Sequence, residues 1–214
     1  MTTRLKTWRR RDLLVEEDRL RRRCRRITAL SHAAGCVPLT EHMWEGNMLV
    51  QRQEVVPRVA LPSGGEARVA LNRLAADLDA LQKVPIHGDI TLKNVVFDGR
   101  RLFVVDWEPS HHQIREGRKK WMVSEPWVAL ADRRSGVLST TTDRIGIFAI
   151  SWQMLHRPHG ISNRRSYARA HHLGRARLVP VEESALDAMS YADIVALAAS
   201  SRSWRWKDQS GTWA

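Results

Sequence analysis

The stretch VPIHGDITLKNVVFDGRRLFVVDWE, in the middle of the chain, constrains the fold more than any other part of the sequence. Two runs of β-branched and aromatic residues are joined by Asp98-Gly99, a dipeptide that readily supplies the positive φ angles of a tight hairpin. A polar loop with Asp89 and Asn94 precedes the hairpin, and Asp106 follows it. The hairpin should therefore return the chain to the loop and bring three oxygen-bearing side chains together.

These side chains, with a basic residue near the amino terminus, fit the requirements of phosphoryl transfer. The reaction needs a carboxylate that orients a hydroxyl and accepts its proton, metal ligands near the phosphates, and a cation on the nucleotide. Mg²⁺ prefers oxygen ligands and completes its octahedron with water and phosphate. Asp89, Asn94, Asp106 and Lys6 could supply these groups in that order. The alternative is that Asp89, Asn94 and Asp106 are only a turn carboxylate, a turn amide and a strand-end acid.

Apolar periodicity predicts the elements around this stretch. Apolar residues at three- and four-residue steps predict helices over about 12–31 and 66–82. The runs CVPLTEHMW and NMLVQRQEV, separated by EGN, predict a strand, a turn and a strand. A further helix should begin near 141–143, and weaker periodicity predicts helical pieces over 182–200. The segment from 108 to 127 has no sustained period and is typical of a long functional loop.

The motifs HGDITLKN and LFVVDWE resemble the catalytic loop and the metal-binding segment of the protein-kinase-like superfamily, which includes aminoglycoside and choline phosphotransferases. The order of helix, loop, hairpin and aspartate is similar as well. The resemblance implies an α+β, two-lobe fold with a reduced N-terminal β lobe over residues 1–57. A mainly helical C-terminal lobe, with the catalytic loop and an activation-like segment, would occupy residues 58–214.

The resemblance also implies ATP and Mg²⁺ as cofactors and assigns roles residue by residue. Asp89 would be the catalytic carboxylate, and Asn94 and Asp106 would be the metal ligands. The segment TRLKTW resembles the strand that bears the phosphate-binding lysine, here Lys6. The remaining implied roles are an ion-pair partner for that lysine (Glu16 or Glu17), backbone that reads adenine (Gln51 to Gln53), a cation on the transferred phosphoryl group (Lys93) and a buttress of the catalytic loop (Asp143).

The sequence departs from the protein kinases at three places. Only five residues precede Lys6, which predicts that the glycine-rich nucleotide lid is missing. Glu108 ends an Asp-Trp-Glu segment where protein kinases usually have glycine, and this resembles small-molecule phosphotransferases more closely. Thr91 stands where serine/threonine kinases carry a lysine, and Lys93 stands where tyrosine kinases carry an arginine. The acceptor therefore cannot be read from the catalytic loop.

From these motifs we predict an ATP- and Mg²⁺-dependent kinase: a minimal protein serine/threonine kinase, narrowly ahead of an aminoglycoside-type small-molecule phosphotransferase. A competing hypothesis is a pseudokinase, which keeps the fold as a nucleotide- or partner-binding module. The catalytic carboxylate and both metal ligands favour the enzyme, whereas the missing lid favours the pseudokinase. We interpret His87 as a structural histidine that ties the loop to the core.

Charge and composition limit the partners. The net charge is +12, and the first 26 residues hold eleven Lys and Arg against four acids. This favours a protein substrate, an acidic partner protein or a small-molecule acceptor, whereas no aromatic-interleaved RNA module or zinc finger points to nucleic acid. The amino terminus lacks the apolar core of a secretory signal, and no apolar run is long enough to span a bilayer. We therefore expect a cytoplasmic protein, with Cys24 and Cys36 as reduced thiols.

Overall fold

The computed structural model describes residues 2–12, 16–81, 86–88, 90–109, 140–156, 179–201 and 204–207. Its amino-terminal part, which we call the small lobe, is a three-stranded antiparallel sheet with one helix. The strands lie in the order β1-β3-β2, so β3 is central. The elements are β1 (Thr3–Arg9), a short 3-10 turn (Arg10–Asp12), α1 (Glu17–Ala33), β2 (Thr40–Glu45) and β3 (Met48–Glu54).

The register of the small sheet places polar residues of all three strands in one row. Lys6 on β1 pairs with Gln51 on β3, which pairs on its other side with His42 on β2. Gly46 takes a φ of +57° in the tight turn between β2 and β3, a conformation that a residue without Cβ adopts at no steric cost. The predicted strand, turn and strand are therefore confirmed.

One face of α1 packs onto the small sheet and forms a compact apolar cluster. Leu20 and Cys24 are buried against Leu49, and two half-buried tryptophans, Trp8 and Trp44, close the cluster. Further along, α1 contributes to the main core of the molecule. The arginines of the helix lie mostly on its exposed side, as the amphipathic pattern predicts.

The remaining described elements form what we call the large lobe. Its helices α2, α3 and α5 pack pairwise against one another and bury most of the main apolar core. The Asp79 carboxylate at the end of α2 accepts hydrogen bonds from the first two amides of α5. The elements are α2 (Gly64–Asp79), β4 (Val95–Phe97), β5 (Leu102–Val104), α3 (Thr140–His156), β6 (Val179–Glu182), α4 (Glu183–Asp187), α5 (Tyr191–Ser200) and β7 (Trp204–Lys207).

Strands β4 and β5 form the hairpin that the Asp-Gly dipeptide predicts. Gly99 has a φ of +96°, and the Asp98 carboxylate accepts hydrogen bonds from the amides of Arg100 and Arg101 at 2.7 and 2.8 Å. Such a side-chain bond to the amide two residues on is the usual way in which aspartate stabilises a turn. The hairpin is therefore fixed by its own local chemistry.

The α+β class and the reduced β lobe are confirmed, with shifts at element ends. Helix α1 begins at Glu17 rather than near residue 12, because the chain first makes a 3-10 turn. The predicted lobe boundary at residue 57 stays a prediction, and most of the expected long loop lies outside the described residues. Within the described ranges, no helix combines the length and apolar character that a membrane crossing requires.

Candidate active site

A buried carboxylate on α3 anchors the backbone of the predicted catalytic loop. Asp143 accepts hydrogen bonds from the backbone amides of His87 and Gly88, both at 2.7 Å, one to each carboxylate oxygen. Its side chain is almost fully buried, and burial raises its pKa to about 7, opposed by the two amide donors and by the positive charge of Arg23. The predicted buttress is therefore confirmed. Asp89, the next residue of the loop, lies outside the described residues.

His87 ties this loop to the segment that follows the hairpin. Its Nε2–H donates to the Val105 carbonyl at 2.8 Å, and its ring meets the Trp107 ring edge-on, with 4.6 Å between centroids. Burial lowers the pKa of His87 to about 4, so the ring is neutral at physiological pH. The structural role predicted for His87 is confirmed.

Backbone pairing brings the two predicted metal ligands together. The amide of Val105 donates to the Asn94 carbonyl at 2.8 Å, and the Asn94 amide donates to Thr91 at 2.9 Å. Asp106 follows immediately with a φ of +70°, in the left-handed region that aspartate and asparagine tolerate better than most residues. Asn94 and Asp106 therefore lie on adjoining backbone segments, as the hairpin predicts.

A lysine from the small lobe reaches this segment. The ammonium of Lys6 contacts the Asp106 carboxylate and lies 3.5 Å from the Glu108 carboxylate. All three side chains are largely shielded from solvent, and in such a setting opposite charges interact more strongly than at an open surface. Lys6 thus places a positive charge at the predicted metal ligand from a different lobe of the molecule.

A family model described as the phosphotransferase enzyme family matches residues 5–115, more than half of the chain. This chain belongs to the phosphotransferase enzyme family. The matched range contains Lys6, Asn94 and Asp106, and it confirms the resemblance to the protein-kinase-like superfamily. No curated protein matches the sequence significantly.

The predicted ion pair between Lys6 and the helix is not formed in this phosphotransferase. Glu17 instead pairs with Arg21, one turn along α1, at 2.6 Å, and lies 3.8 Å from Arg10. Carboxylates and arginines four residues apart on a helix are natural neighbours, so the local arginine takes the glutamate. The lysine's second partner, Glu108, was not predicted, because Asp106 takes a left-handed φ of +70° and the alternation of an extended strand therefore does not apply to this segment.

The backbone of Gln51 and Gln53, predicted to read adenine, lies in the interior of the small sheet, and its adenine-binding role stays a prediction. Both residues lie on the central strand β3 and are paired on both sides, with Lys6 and His42 at residue 51. An interior strand uses its amides and carbonyls in the ladder. The Gln51 side chain is nevertheless buried, and its Nε2 donates to the Trp107 carbonyl at 2.6 Å. The Gln51 side chain therefore supports the segment that contains Asp106, the predicted metal ligand.

Two further residues of the catalytic loop differ in their environment. Lys93 is exposed, so its ammonium can reach a phosphate only if that group approaches the loop from solvent. Thr91 is fully buried, and its hydroxyl has no hydrogen-bond partner among the described residues. The role predicted for Lys93 stays a prediction.

The donor set of the phosphotransferase suits a magnesium ion. Asp106 offers carboxylate oxygens and Asn94 an amide oxygen, which are hard ligands of the kind that Mg²⁺ prefers. The Lys6 ammonium on Asp106 and Glu108 shows that a positive charge is accommodated there. Among the described residues, no three His, Cys, Asp or Glu side chains cluster at metal-binding distance. A metal would therefore rely on Asn94 and on phosphate oxygens as well as on Asp106.

A glycine on α3 allows the helix to approach the catalytic loop. Gly146 lies one turn after Asp143, and a Cβ at this position would lie 2.6 Å from the Ile90 carbonyl oxygen and 2.8 Å from the Ile90 Cβ. Both distances are shorter than any normal contact. Only glycine therefore fits between the helix and the residue that follows Asp89.

Gly146→Ala should displace the catalytic loop. We expect the free energy of unfolding to fall by about 1–3 kcal/mol, the usual cost of an added methyl group in a packed core, and phosphoryl transfer to fall by about 100-fold, as for a misplacement of about 1 Å. Gly65→Ala is the matched control, since a Cβ on that α2 glycine meets nothing within 4 Å. Urea denaturation and a transfer assay measure both effects; equal behaviour of the two variants would contradict the prediction.

Proposed function

We propose that this phosphotransferase uses ATP and Mg²⁺ to transfer the γ-phosphoryl group to a hydroxyl group. The observation that carries the proposal is the backbone pairing of Asn94 with Val105, which sets Asn94 beside Asp106 while Lys6 reaches the same carboxylate from the small lobe. Two oxygen ligands and a cation at one place are what phosphoryl transfer requires. The family match supports the reaction class.

The chain's own residues divide the work of such a transfer. Asp89 would orient the acceptor hydroxyl and take its proton, as the oxygen–phosphorus bond forms and the bond to the β,γ-bridging oxygen breaks. ADP would then leave with the electron pair of that bond. Asn94 and Asp106 would hold Mg²⁺, which supplies charge neutralisation on the phosphates when bound. Lys6 and Lys93 would add positive charge on the nucleotide and on the transferred group.

For the acceptor, we keep two candidates. A protein serine or threonine hydroxyl is the first, and the basic surface of the chain would favour an acidic protein substrate. A small-molecule alcohol is the second candidate. Glu108 favours it because the Asp-Trp-Glu segment resembles small-molecule phosphotransferases, and the Glu108 carboxylate lies at the site, near Lys6. The net charge of +12 disfavours a polycationic aminoglycoside as that alcohol.

A transfer assay with γ-labelled ATP and Mg²⁺ tests the proposal. The wild type should label itself, a bulk protein substrate or a small alcohol, and Asp89→Ala should lower the rate by about 10²- to 10⁴-fold because the general base is lost. Separation of labelled protein from labelled small molecules identifies the acceptor class. Label no higher for the wild type than for the variant on any acceptor would defeat the enzyme proposal.

A second measurement separates an inert fold from a pseudokinase. A ligand that binds only the folded state raises the apparent stability in proportion to the logarithm of its concentration. A thermal shift with MgATP but no labelled product would therefore identify a nucleotide-binding module. No thermal shift and no label together would exclude both the active enzyme and the nucleotide-binding pseudokinase.

A further inference from the structure

The segment 106–108 has a conformation that needs support from elsewhere. Asp106 holds a φ of +70°, and a non-glycine residue in the left-handed region costs of order 1 kcal/mol or more. Trp107 is buried, and its indole N–H donates to the Val104 carbonyl at 2.8 Å, which fixes the ring. The carbonyl groups of Trp107 and Glu108 must then be satisfied by other partners.

The small lobe supplies these partners. The Gln51 side chain donates to the Trp107 carbonyl at 2.6 Å. Arg23 on α1 donates from Nε to the Glu108 carbonyl at 2.9 Å. A strand and a helix of the small lobe therefore hold consecutive carbonyls of the metal-binding segment, next to the side-chain contact made by Lys6.

Arg23 also reaches the catalytic loop. A second nitrogen of its guanidinium donates to the Ile86 carbonyl at 2.8 Å, immediately before His87 and three residues before Asp89 in the sequence. One planar guanidinium thus spans the two segments that carry the predicted catalytic carboxylate and the predicted metal ligand. The fixed fork of donors in arginine allows such a bridge, whereas a lysine is a point charge on a flexible stem.

The electrostatic surroundings keep this guanidinium charged. Burial lowers the pKa of Arg23 to about 10, and the negative charges of Asp143 and Glu108 oppose the shift. At physiological pH the side chain therefore donates as a cation, and hydrogen bonds from a charged donor are stronger than neutral ones. Its neighbour Arg22 is exposed on the same helix.

We propose that Arg23 is a positioning residue that sets the catalytic loop and the metal-binding segment relative to each other from α1. The proposal rests on the proposed phosphotransferase function, but the hydrogen bonds of Arg23 from which it is argued do not depend on catalysis. Gln51 acts on the metal-binding segment alone. A movement of α1 would be transmitted to both segments through Arg23.

Hydrogen exchange of the free protein tests the proposal without any ligand. In Arg23→Met, amides of 86–88 and 105–108 should exchange about 10-fold faster, because two charge-assisted bonds are lost, while β3 remains as in the wild type. Arg22→Met makes the same charge change on exposed surface and should change neither segment. Gln51→Met should accelerate exchange only in 105–108, and Arg23→Lys should give an intermediate result.

The pattern across variants decides the outcome. Exchange that rises equally in β3 and in the two segments, or that rises equally in Arg22→Met, would overturn the proposal and leave only a general effect on stability. If Arg23→Met does not fold, the Lys variant and Gln51→Met still give the segment-specific pattern or its absence.

A metal titration connects the result to function. With a non-hydrolysable ATP analogue, Arg23→Met should weaken Mn²⁺ affinity by about 10-fold and leave the metal-free affinity for the analogue unchanged, because the two segments that Arg23 bridges carry the predicted metal ligand and catalytic carboxylate and not the predicted nucleotide contact, Lys6. If the wild type binds Mn²⁺ and Arg23→Met binds it with the same affinity, the positioning role of Arg23 is overturned. Failure of the wild type to bind the analogue would contradict the proposed function, while the exchange pattern would still decide the role of Arg23.

Discussion

Asp106→Asn should lower phosphoryl transfer by about 1000-fold, because it removes the carboxylate charge at the predicted metal site, a contribution of several kcal/mol to the barrier. The variant should nevertheless fold, since asparagine tolerates the left-handed backbone found at this position as readily as aspartate. The Lys6 ammonium would then donate to a neutral amide oxygen instead of a carboxylate. The loss should therefore appear in transfer and in metal affinity rather than in the unfolding transition.

Asp98→Asn is the matched control for Asp106→Asn. It is the same chemical change on the same hairpin, and the asparagine oxygen can still accept the two amide hydrogen bonds that Asp98 receives. Asn-Gly is also a favoured hairpin dipeptide. Transfer by Asp98→Asn should stay near the wild-type rate. A comparable loss in both variants, or full transfer by Asp106→Asn with undiminished Mn²⁺ affinity, would remove Asp106 from the metal site.

Asp143→Ala should destabilise the protein by about 3–5 kcal/mol. The substitution leaves the amides of His87 and Gly88 buried without an acceptor, at about 1–3 kcal/mol each, and adds a small cavity. Because these amides belong to the catalytic loop, transfer should fall by more than the folded fraction explains. Urea denaturation gives the free energy of unfolding, and a transfer assay well below the denaturation midpoint gives the rate.

Asp79→Ala provides a control with the same chemistry at the start of another helix, α5. Asp79 also accepts two backbone amides, those of Tyr191 and Ala192 at 2.7 and 3.0 Å, but it caps α5. Its loss should lower stability, by less because the carboxylate is more exposed, and should leave transfer per folded molecule unchanged. If both variants reduce transfer only through unfolding, Asp143 is a general core residue and does not order the catalytic loop.

Much of the scaffold around the site was accessible from the sequence, because its signals are local. Asp98-Gly99 specifies the hairpin through turn geometry, and apolar spacing specifies α1 and α2 within a few residues of their ends. Once the hairpin is fixed, Asp106 must return to Asn94. The start of the helix that carries Asp143 follows from the Thr and Asp residues near 141–143, which favour a helix amino terminus.

The polar contacts that complete the site were not accessible in this way. Lys6 meets Asp106 and Glu108 about a hundred residues along the chain, and no local pattern distinguishes these acids from Glu16 and Glu17. Glu17 has an arginine one helical turn away, and the shorter loop to that partner costs less chain entropy. The carboxylate that pairs with Lys6 is therefore decided by which acids lie within reach of its ammonium once both lobes have folded.

By itself the sequence determined β2 to β5, helices α1 to α3 and the return of Asp106 to the loop, because backbone conformation and apolar burial follow from neighbouring residues. Only the tertiary structure decided that Arg23 and Gln51 hold the carbonyl groups of Glu108 and Trp107 and that Gly146 must lack a side chain. Those contacts join residues 56 to 85 positions apart in the sequence. Their geometry exists only after both lobes have packed, since hydrogen bonds and steric clearances depend on distances that no local pattern encodes.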